Sequence, residues 1–518
     1  MSYRSATGAL IAIAFTLFPW WAKGAGWTFD YQHHIRYGEL LYQYYASAFT
    51  DLSFLDFTNA RYYGGLLDLS AHLLYKLLYL LGWQQLEFFI FKNIYISLFG
   101  ATALAVAALT AKEIYGNRAA FYTALFLLIS PKFVGHSFNN PKDIAFACGY
   151  IIGVYALVRV VKTLPQLSWS LLVILGLGIG ISLGMRIGGL LLVAYLGMIV
   201  TLWSIFHFKS FNEHKIKIIT SLILALGLGY ALCFLFWPLT HQRPIGAFQE
   251  TLALMSSFDW PGTVLFKGKI VEGRALPWSY LPTWIAISTP PLILFGYLLS
   301  LGMLVKKQYQ TSLNLFCHFT TLFPAFYVLA KKSTLYDDYR QMLFIYLPLV
   351  IVAAGAYAFW MEKIRAHHRL LSHALIVVLA MPSLLWMVKN YPNTYSYFND
   401  LSGGIKSNAA RFESDYWCNC YREIAEWMVK NKELLLADKR TIHLKFEGNP
   451  DSLTYFLAKD SKFHYKLVRE EAAPLQEYGV VYRRGKSSEQ LSLGWPHHPI
   501  VYAVTVDGVP ICALIRAQ

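Results

Sequence analysis

The chain has 518 residues, of which 56% are hydrophobic, 16% aromatic and only 14% charged, a balance far from that of soluble domains and one that marks a polytopic membrane protein. Its formal charge of +15 comes from 45 Lys and Arg against 30 Asp and Glu. The basic residues lie in short clusters between apolar runs and not along one face, which fits loops at an anionic membrane surface and argues against a nucleic-acid partner.

A helix needs about 20 residues to cross about 30 Å of hydrocarbon. On that measure candidate spans fall at roughly 7–23, 88–110, 119–131, 144–161, 169–185, 188–206, 218–238, 283–305, 311–330, 341–361 and 370–388. The first has no small-x-small cleavage site and reads as a retained anchor. With the N-terminus inside, every second loop is basic and nearly free of acid: Lys112 and Arg118, Arg159 and Lys162, Lys209 with Lys215 and Lys217, Lys306 and Lys307, then Lys363, Arg365 and Arg369. This is the pattern of cytoplasmic loops. The alternate segments, about 23–87, 132–143, a turn near Arg186, 239–282 and 331–340, are longer and mix both signs, and an odd count of about eleven spans leaves the tail on their side.

Charges at a membrane are costly and mark substrate paths or partner sites. The first such cluster, WTFDYQHHIRYGELL at 27–41, holds Asp30, His33, His34, Arg36 and Glu39. On a helix, His34 stands four residues beyond Asp30 on one face, and a carboxylate beside imidazoles suits a base or a hydrogen-bond acceptor for a sugar hydroxyl; an interfacial amphipathic helix is the bland alternative. In the second cluster, SPKFVGHSFNNPKDIAFA, Pro141 suits a first helical turn that Asn139 or Asn140 caps, with Lys142 and Asp143 at the end of that helix. The third is Arg186, a lone cation in a long apolar stretch whose glycines at 176, 178, 180 and 184 permit close helix packing; it requires a turn, an acid or an anion. Two further segments, one with Arg243, Lys267, Lys269, Glu272 and Arg274 and one with Lys331, Lys332, Asp337, Asp338 and Arg340, read by default as solvated loop charge.

From Tyr391 the long apolar runs stop. DYWCNCYREIAEWMVKNKELLLA reads as an amphipathic helix; TIHLKFEG, YGVVYRR and PIVYAVTVDGVPICALIRA read as strands, the last turning at Asp507-Gly508. The expected organisation is an all-α polytopic membrane bundle over 1–389 and a small C-terminal α/β domain over 390–518. Cys148, Cys233 and Cys317 fall in spans, while Cys418, Cys420 and Cys512 fall in the tail, where an oxidising compartment permits one disulfide whose pairing spacing does not choose. No paired CxxC and no HExxH occurs, so no metal site is expected, and a need for a divalent cation stays open.

The aspartate soon after the first span, in an xHxxxGxxL-type run, resembles the start of the first outside loop of C-type glycosyltransferases (the GT-C fold), in particular glycosyltransferase family 39 and its bacterial relatives. In the same order, NNPKDIAFACGYIIGVYALVR resembles the second outside loop, GLGIGISLGMRIGGLLL resembles the GLxxGLxxxxKxxGLLL span with Arg186 for the usual Lys, and GRALPWSYLPTWIAISTPP, DDYRQMLFIYLPLVIVAAGAY and YFNDLSGG with FESDYWCNCYREIAEW resemble later segments. Many members keep an Asp-Glu pair at the first site, where this chain has Asp30-Tyr31. The resemblance implies an inverting transfer of a sugar from a polyprenyl-phosphate donor to a protein, lipid or glycan acceptor on the periplasmic face of a bacterial inner membrane. It assigns Asp30 as base, Asp143 as its support, and Lys142, Arg186 and Arg340 to the donor phosphate, with His33 and His34 as further candidates. A transporter or flippase of an amphipathic lipid, or a non-catalytic protein of the same fold, are the competing readings.

Overall fold

The computed structural model describes residues 2–256, 258, 260–306, 310–436, 441–468 and 477–517. The helices before the tail are α1 (Tyr3–Ala22), α2 (Tyr31–Ala46), α3 (Leu66–Leu80), α4 (Phe88–Tyr115), α5 (Asn117–Leu128), α6 (Pro131–Asn139), α7 (Pro141–Thr163), α8 (Trp169–Leu183), α9 (Leu190–Phe206), α10 (Phe208–Phe236), α11 (Leu239–Gln242), α12 (Gly246–Ser256), α13 (Tyr280–Ser288), α14 (Pro291–Met303), α15 (Ser312–Lys331), α16 (Leu343–Lys363) and α17 (Ala366–Lys389). Among the described residues eight of these, α1, α4, α7, α9, α10, α15, α16 and α17, are long and apolar enough to cross a membrane. The helices α5 and α6, bent by 67° to each other, are together long and apolar enough for one broken span or a re-entrant loop, and α8 and α14 are shorter apolar helices. Counting the bent pair, α8 and α14 as passes reaches the expected eleven.

Contacts agree with that alternation. At one end, where the basic turns of the sequence lie, Tyr3 and Tyr122 both bond the His373 ring, Lys162 pairs with Glu113 at 2.6 Å and Arg118 faces Glu362 at 3.6 Å. At the other end, the Tyr391 hydroxyl donates to the Trp21 carbonyl at 2.7 Å.

Proline placement explains two breaks that hydrophobicity alone does not locate. The expected span 119–131 stops at Leu128, because Ser130 is extended and Pro131 begins a new helix at another angle. The expected span 283–305 divides at Pro290, with α13 before it and α14 starting at Pro291. The centre of the bundle is α16, whose residues from Leu343 to Ala358 are all buried, as an all-round apolar helix requires. Around α8, small residues let backbones meet. A Cβ on Gly178 would lie 2.4 Å from the Gly153 backbone nitrogen of α7, and one on Gly180 would lie 2.9 Å from the Gly229 carbonyl of α10; this is close packing of the kind small residues permit in a membrane.

Between α12 and α13 a hairpin forms from β1 (Thr263–Phe266) and β2 (Lys269–Glu272). The tail contains α18 (Gly404–Asn408), α19 (Tyr421–Lys430), α20 (Lys432–Leu436), α21 (Asp451–Leu457) and α22 (Ser488–Ser492) around a five-stranded sheet. Its strands, β3 (Ile442–Phe446), β4 (Tyr465–Val468), β5 (Tyr478–Tyr482), β6 (Ile500–Val506) and β7 (Val509–Arg516), run in the order β4-β3-β5-β7-β6, with β3 parallel to both neighbours and β7 antiparallel to both of its own. The expected β6–β7 hairpin turns at Asp507 and Gly508, both at positive φ (47° and 79°), as a two-residue I′ turn requires. The Asp507 carboxylate then accepts from Trp386 and Lys389 at 2.5 and 2.8 Å and fastens the hairpin to the end of α17. Cys420 and Cys512 form the disulfide, and Cys418 is a buried free thiol. The protein is thus a multi-pass membrane bundle with a small C-terminal sheet domain.

Candidate active site

The tail sits against the chain that leaves α1. Arg422 donates to the carbonyls of Lys23 (2.6 Å) and Ala25 (2.9 Å), Gly26 donates its N–H to the Asn419 side chain, Phe29 N–H donates to the Trp417 carbonyl at 3.0 Å, and Asn449 donates to the Phe29 carbonyl at 2.8 Å. These bonds present Asp30 to a cavity of about 390 Å³ between bundle and tail. Asp30, Asp337, Arg340 and Arg484 bring charge to its wall, and Trp260, Tyr336, Tyr416, Trp417 and Tyr482 bring aromatic faces.

Asp30 immediately precedes α2, makes no capping bond and is half-buried; among the described residues no side chain hydrogen-bonds its carboxylate. Tyr31 turns the other way, into a buried stack with Trp27 (4.6 Å between ring centres) and Phe89 (5.2 Å), its hydroxyl donating to the Phe89 carbonyl at 3.2 Å. A second acid at that position would lie among aromatic rings and away from the cavity. His33 and His34 do not join Asp30 either. His33 stacks on Phe57 at 4.8 Å, and burial, helped by the nearby Lys142 ammonium, pushes its ring down to about 4. His34 is buried with Nδ1 3.1 Å from Asp68, which also accepts from Lys92 at 3.3 Å. Burial lowers His34, whereas Asp68, which burial alone would raise, is held below the ordinary carboxylate range by His34 and Lys92. The His33 ring is therefore neutral at neutral pH, and the His34, Asp68 and Lys92 cluster anchors α2 on α3 and α4.

The NNPKD segment folds as its sequence suggests. Asn140 caps α7 by accepting from the Asp143 N–H at 3.2 Å, and its amide donates back to the Asp143 carboxylate at 2.8 Å. Asp143 is fully buried and lies behind the cavity wall, paired with Arg186 and, at 3.5 Å, with Arg340. Arg186 sits at the turn after α8 and satisfies the requirement for an acid partner through this pair. Lys142 lies 4.0 Å from the centre of the Tyr63 ring, with Arg186 over the same ring at 5.6 Å.

The default reading of the segment around Asp337 and Asp338 as solvated charge is overturned: both are buried, as is Arg340. Arg340 bonds Asp337 at 3.1 Å, and Asp337 meets Arg484 of the tail at 2.6 Å. A row of alternating charge, Arg186, Asp143, Arg340, Asp337 and Arg484, thus crosses from α8 to the tail. Asp338 accepts from Lys132 and from the Tyr416 hydroxyl, each at 2.6 Å, and lies 3.9 Å from His136. Asp337 and Asp338 both have positive φ, 55° and 62°. Two successive non-glycine residues there are strained, and the ion pairs on either side hold them. Burial raises Asp338, but Lys132 and His136 outweigh it and hold the carboxyl below its usual range. Burial raises Asp337 against the pull of Arg484 and Arg340, and it pushes Glu413, 4.0 Å from Arg484, up to about 8.

Of the residues singled out from the sequence, the fold brings Asp30 and Arg340 into one wall and sets Asp143, Arg186 and Lys142 behind it. It did not find Arg484, because a tail arginine carries no sign of where its domain docks. Asp68 and Lys92 were findable, as single charges in apolar helical runs. Among the described residues no group of three or more His, Cys, Asp or Glu is placed to hold a metal ion.

Residues 77–237 match the family model described as dolichyl-phosphate-mannose-protein mannosyltransferase. That stretch contains Lys142, Asp143 and Arg186 and is less than a third of the chain. Two solved structures resemble the whole chain. One is ArnT from Cupriavidus metallidurans in the apo state, with 12% identity and a TM-score of 0.49 over 99% of this chain and 98% of that one. The other is ArnT from the same organism bound to undecaprenyl phosphate, with 13% identity and a TM-score of 0.48 over 98% and 97%. No curated protein sequence matches.

Proposed function

We propose that this protein is an integral membrane glycosyltransferase that moves a sugar from a polyprenyl phosphate to a protein, lipid or glycan acceptor, with inversion at the anomeric carbon. The observation that carries the reading is the cavity itself. It joins one carboxylate with no side-chain partner, Asp30, to the buried guanidinium of Arg340 among aromatic walls. Aromatic faces suit sugar rings, a guanidinium suits a phosphate, and a free carboxylate suits a base. The family match over 77–237 supports the same chemistry.

In this reading the acceptor hydroxyl gives its proton to Asp30 as its oxygen attacks the anomeric carbon from the face opposite the phosphate. The bond from that carbon to the phosphate oxygen breaks, and its electron pair leaves with the phosphate, where Arg340 meets the growing negative charge. Asp143 acts through Arg340 and Arg186, which it pairs, and Lys142 adds positive charge nearby. The basic loops at the far end of the bundle favour a cytoplasmic location for that end, and in this reading the cavity and the tail face the periplasm from an inner membrane. The Cys420–Cys512 disulfide in the tail fits an oxidising compartment.

The test is purified protein in proteoliposomes given radiolabelled polyprenyl-phosphate sugars and membrane extract as the acceptor source. Wild type transfers label and Asp30→Asn loses at least a hundredfold in rate, the scale of a general base. Undiminished transfer by Asp30→Asn removes that residue from the mechanism, and labelled lipid crossing the bilayer without donor consumption replaces transfer by transport.

A further inference from the structure

The wall of the cavity is not completed by the membrane bundle. Tyr416, Trp417, Tyr482 and Arg484 all come from the tail. The aromatic contacts of the two guanidiniums are exchanged across the boundary: Arg340 of the bundle lies 4.7 Å from the centre of a Trp417 ring, and Arg484 of the tail lies 5.9 Å from that of Trp260, in the segment between α12 and β1. Asp337 is the counter-ion of both, at 3.1 and 2.6 Å. The row from Arg186 to Arg484 counts three guanidiniums against two carboxylates, and Asp30 on the same cavity wall brings a third carboxylate. A sugar joined to a polyprenyl chain through phosphate is a phosphodiester with one negative charge, and two guanidiniums that share a single carboxylate suit it.

We infer that the tail is part of the substrate site, and that Arg484 is a second guanidinium for the donor phosphate, set beside Arg340 by their common partner Asp337. The inference rests on the transferase reading above. It makes the C-terminal domain a component of donor recognition, so the lipid phosphate is gripped from the bundle and from the tail at once. Two arginines a short distance apart present fixed forks of N–H donors to one phosphate, a geometry that a single lysine does not reproduce.

The test uses the full-length protein in detergent, titrated with undecaprenyl phosphate and, separately, with undecaprenol, which has the same chain and no phosphate; tryptophan fluorescence reports binding, since Trp260 and Trp417 line the cavity. Wild type is expected to prefer the phosphate. Arg484→Gln should weaken undecaprenyl phosphate binding at least tenfold while leaving undecaprenol binding unchanged, and Arg484→Lys should recover part of the loss. Phosphate binding by both variants equal to wild type overturns the inference, and so does an equal loss for both lipids, which marks Arg484 as structural only. If Arg484→Gln does not fold, Arg484→Lys decides alone: a several-fold loss confined to the phosphate lipid supports the assignment, and none overturns it. A wild type with no preference for the phosphate overturns the transferase reading itself, whereas a preference that the variants keep overturns only the role of Arg484.

Discussion

The buried pair of Lys132 and Asp338 is the contact whose loss the structure makes most costly. Lys132 is 3% exposed and Asp338 0%, their charged atoms are 2.6 Å apart, and the ammonium lies near the rings of Trp284 (5.1 Å) and Phe398 (5.9 Å). At that separation and an effective dielectric constant of about 20 the attraction is about 6 kcal/mol, most of it offset by the desolvation of two ions. Neutralising one partner removes the attraction and leaves the other charge buried. Asp338→Asn and Lys132→Met should therefore each destabilise by about 3–5 kcal/mol. The double variant should cost clearly less than the sum, because no unpaired charge remains. The exposed pair of Arg243 and Glu250 provides the contrast, since breaking it should cost under about 1 kcal/mol. The assay is thermal and denaturant unfolding of the purified protein in detergent, followed by tryptophan fluorescence. Single variants that melt like wild type, or losses that add in the double variant, would refute the reasoning. Asp338→Asn should also lower transfer activity, because Asp338 holds the Tyr416 hydroxyl and Tyr416 lines the cavity.

Two further outcomes are expected. Burial raises Glu413 from the ordinary 4.5 to about 8, so the folded protein keeps a proton there that the unfolded chain has lost. Stability should fall as pH rises from about 4.5 to about 8, by at most about 5 kcal/mol; Glu413→Gln should flatten the decline in melting temperature between pH 5 and 8.5, and parallel declines would contradict the assignment. Cys420→Ser or Cys512→Ser opens a link across 92 residues and should cost about 2–4 kcal/mol. Alkylation of the denatured, unreduced protein followed by mass spectrometry should leave these two cysteines unlabelled and modify Cys418, whereas labelling of all three would show that the link does not form.

The membrane character, the alternation of basic and mixed loops, the cap at Asn140 and the β6–β7 turn were all legible in the sequence. Each depends on residues near one another in the chain: an apolar run of set length, an Asn before a Pro, an Asp-Gly pair between alternating strands. The same local logic singled out Asp30, Lys142, Asp143 and Arg186, while Arg340 enters only through the family resemblance. What it did not reveal is which of these charges are consumed by one another. Asp143 looks as available as Asp30 until Arg186 and Arg340 arrive from 43 and 197 residues away, and Asp337 and Asp338 read as solvated until Lys132, Arg340 and Arg484 are placed against them. The Asp-Tyr departure at the first site is explained the same way, since Tyr31 faces a packed aromatic stack. Charge type and local conformation are properties of short segments. Burial, pairing and the sharing of one cavity between bundle and tail follow from long-range packing, and only the tertiary structure decided that Asp143, Asp337 and Asp338 are taken up in ion pairs while, among the described residues, no side chain bonds the Asp30 carboxylate.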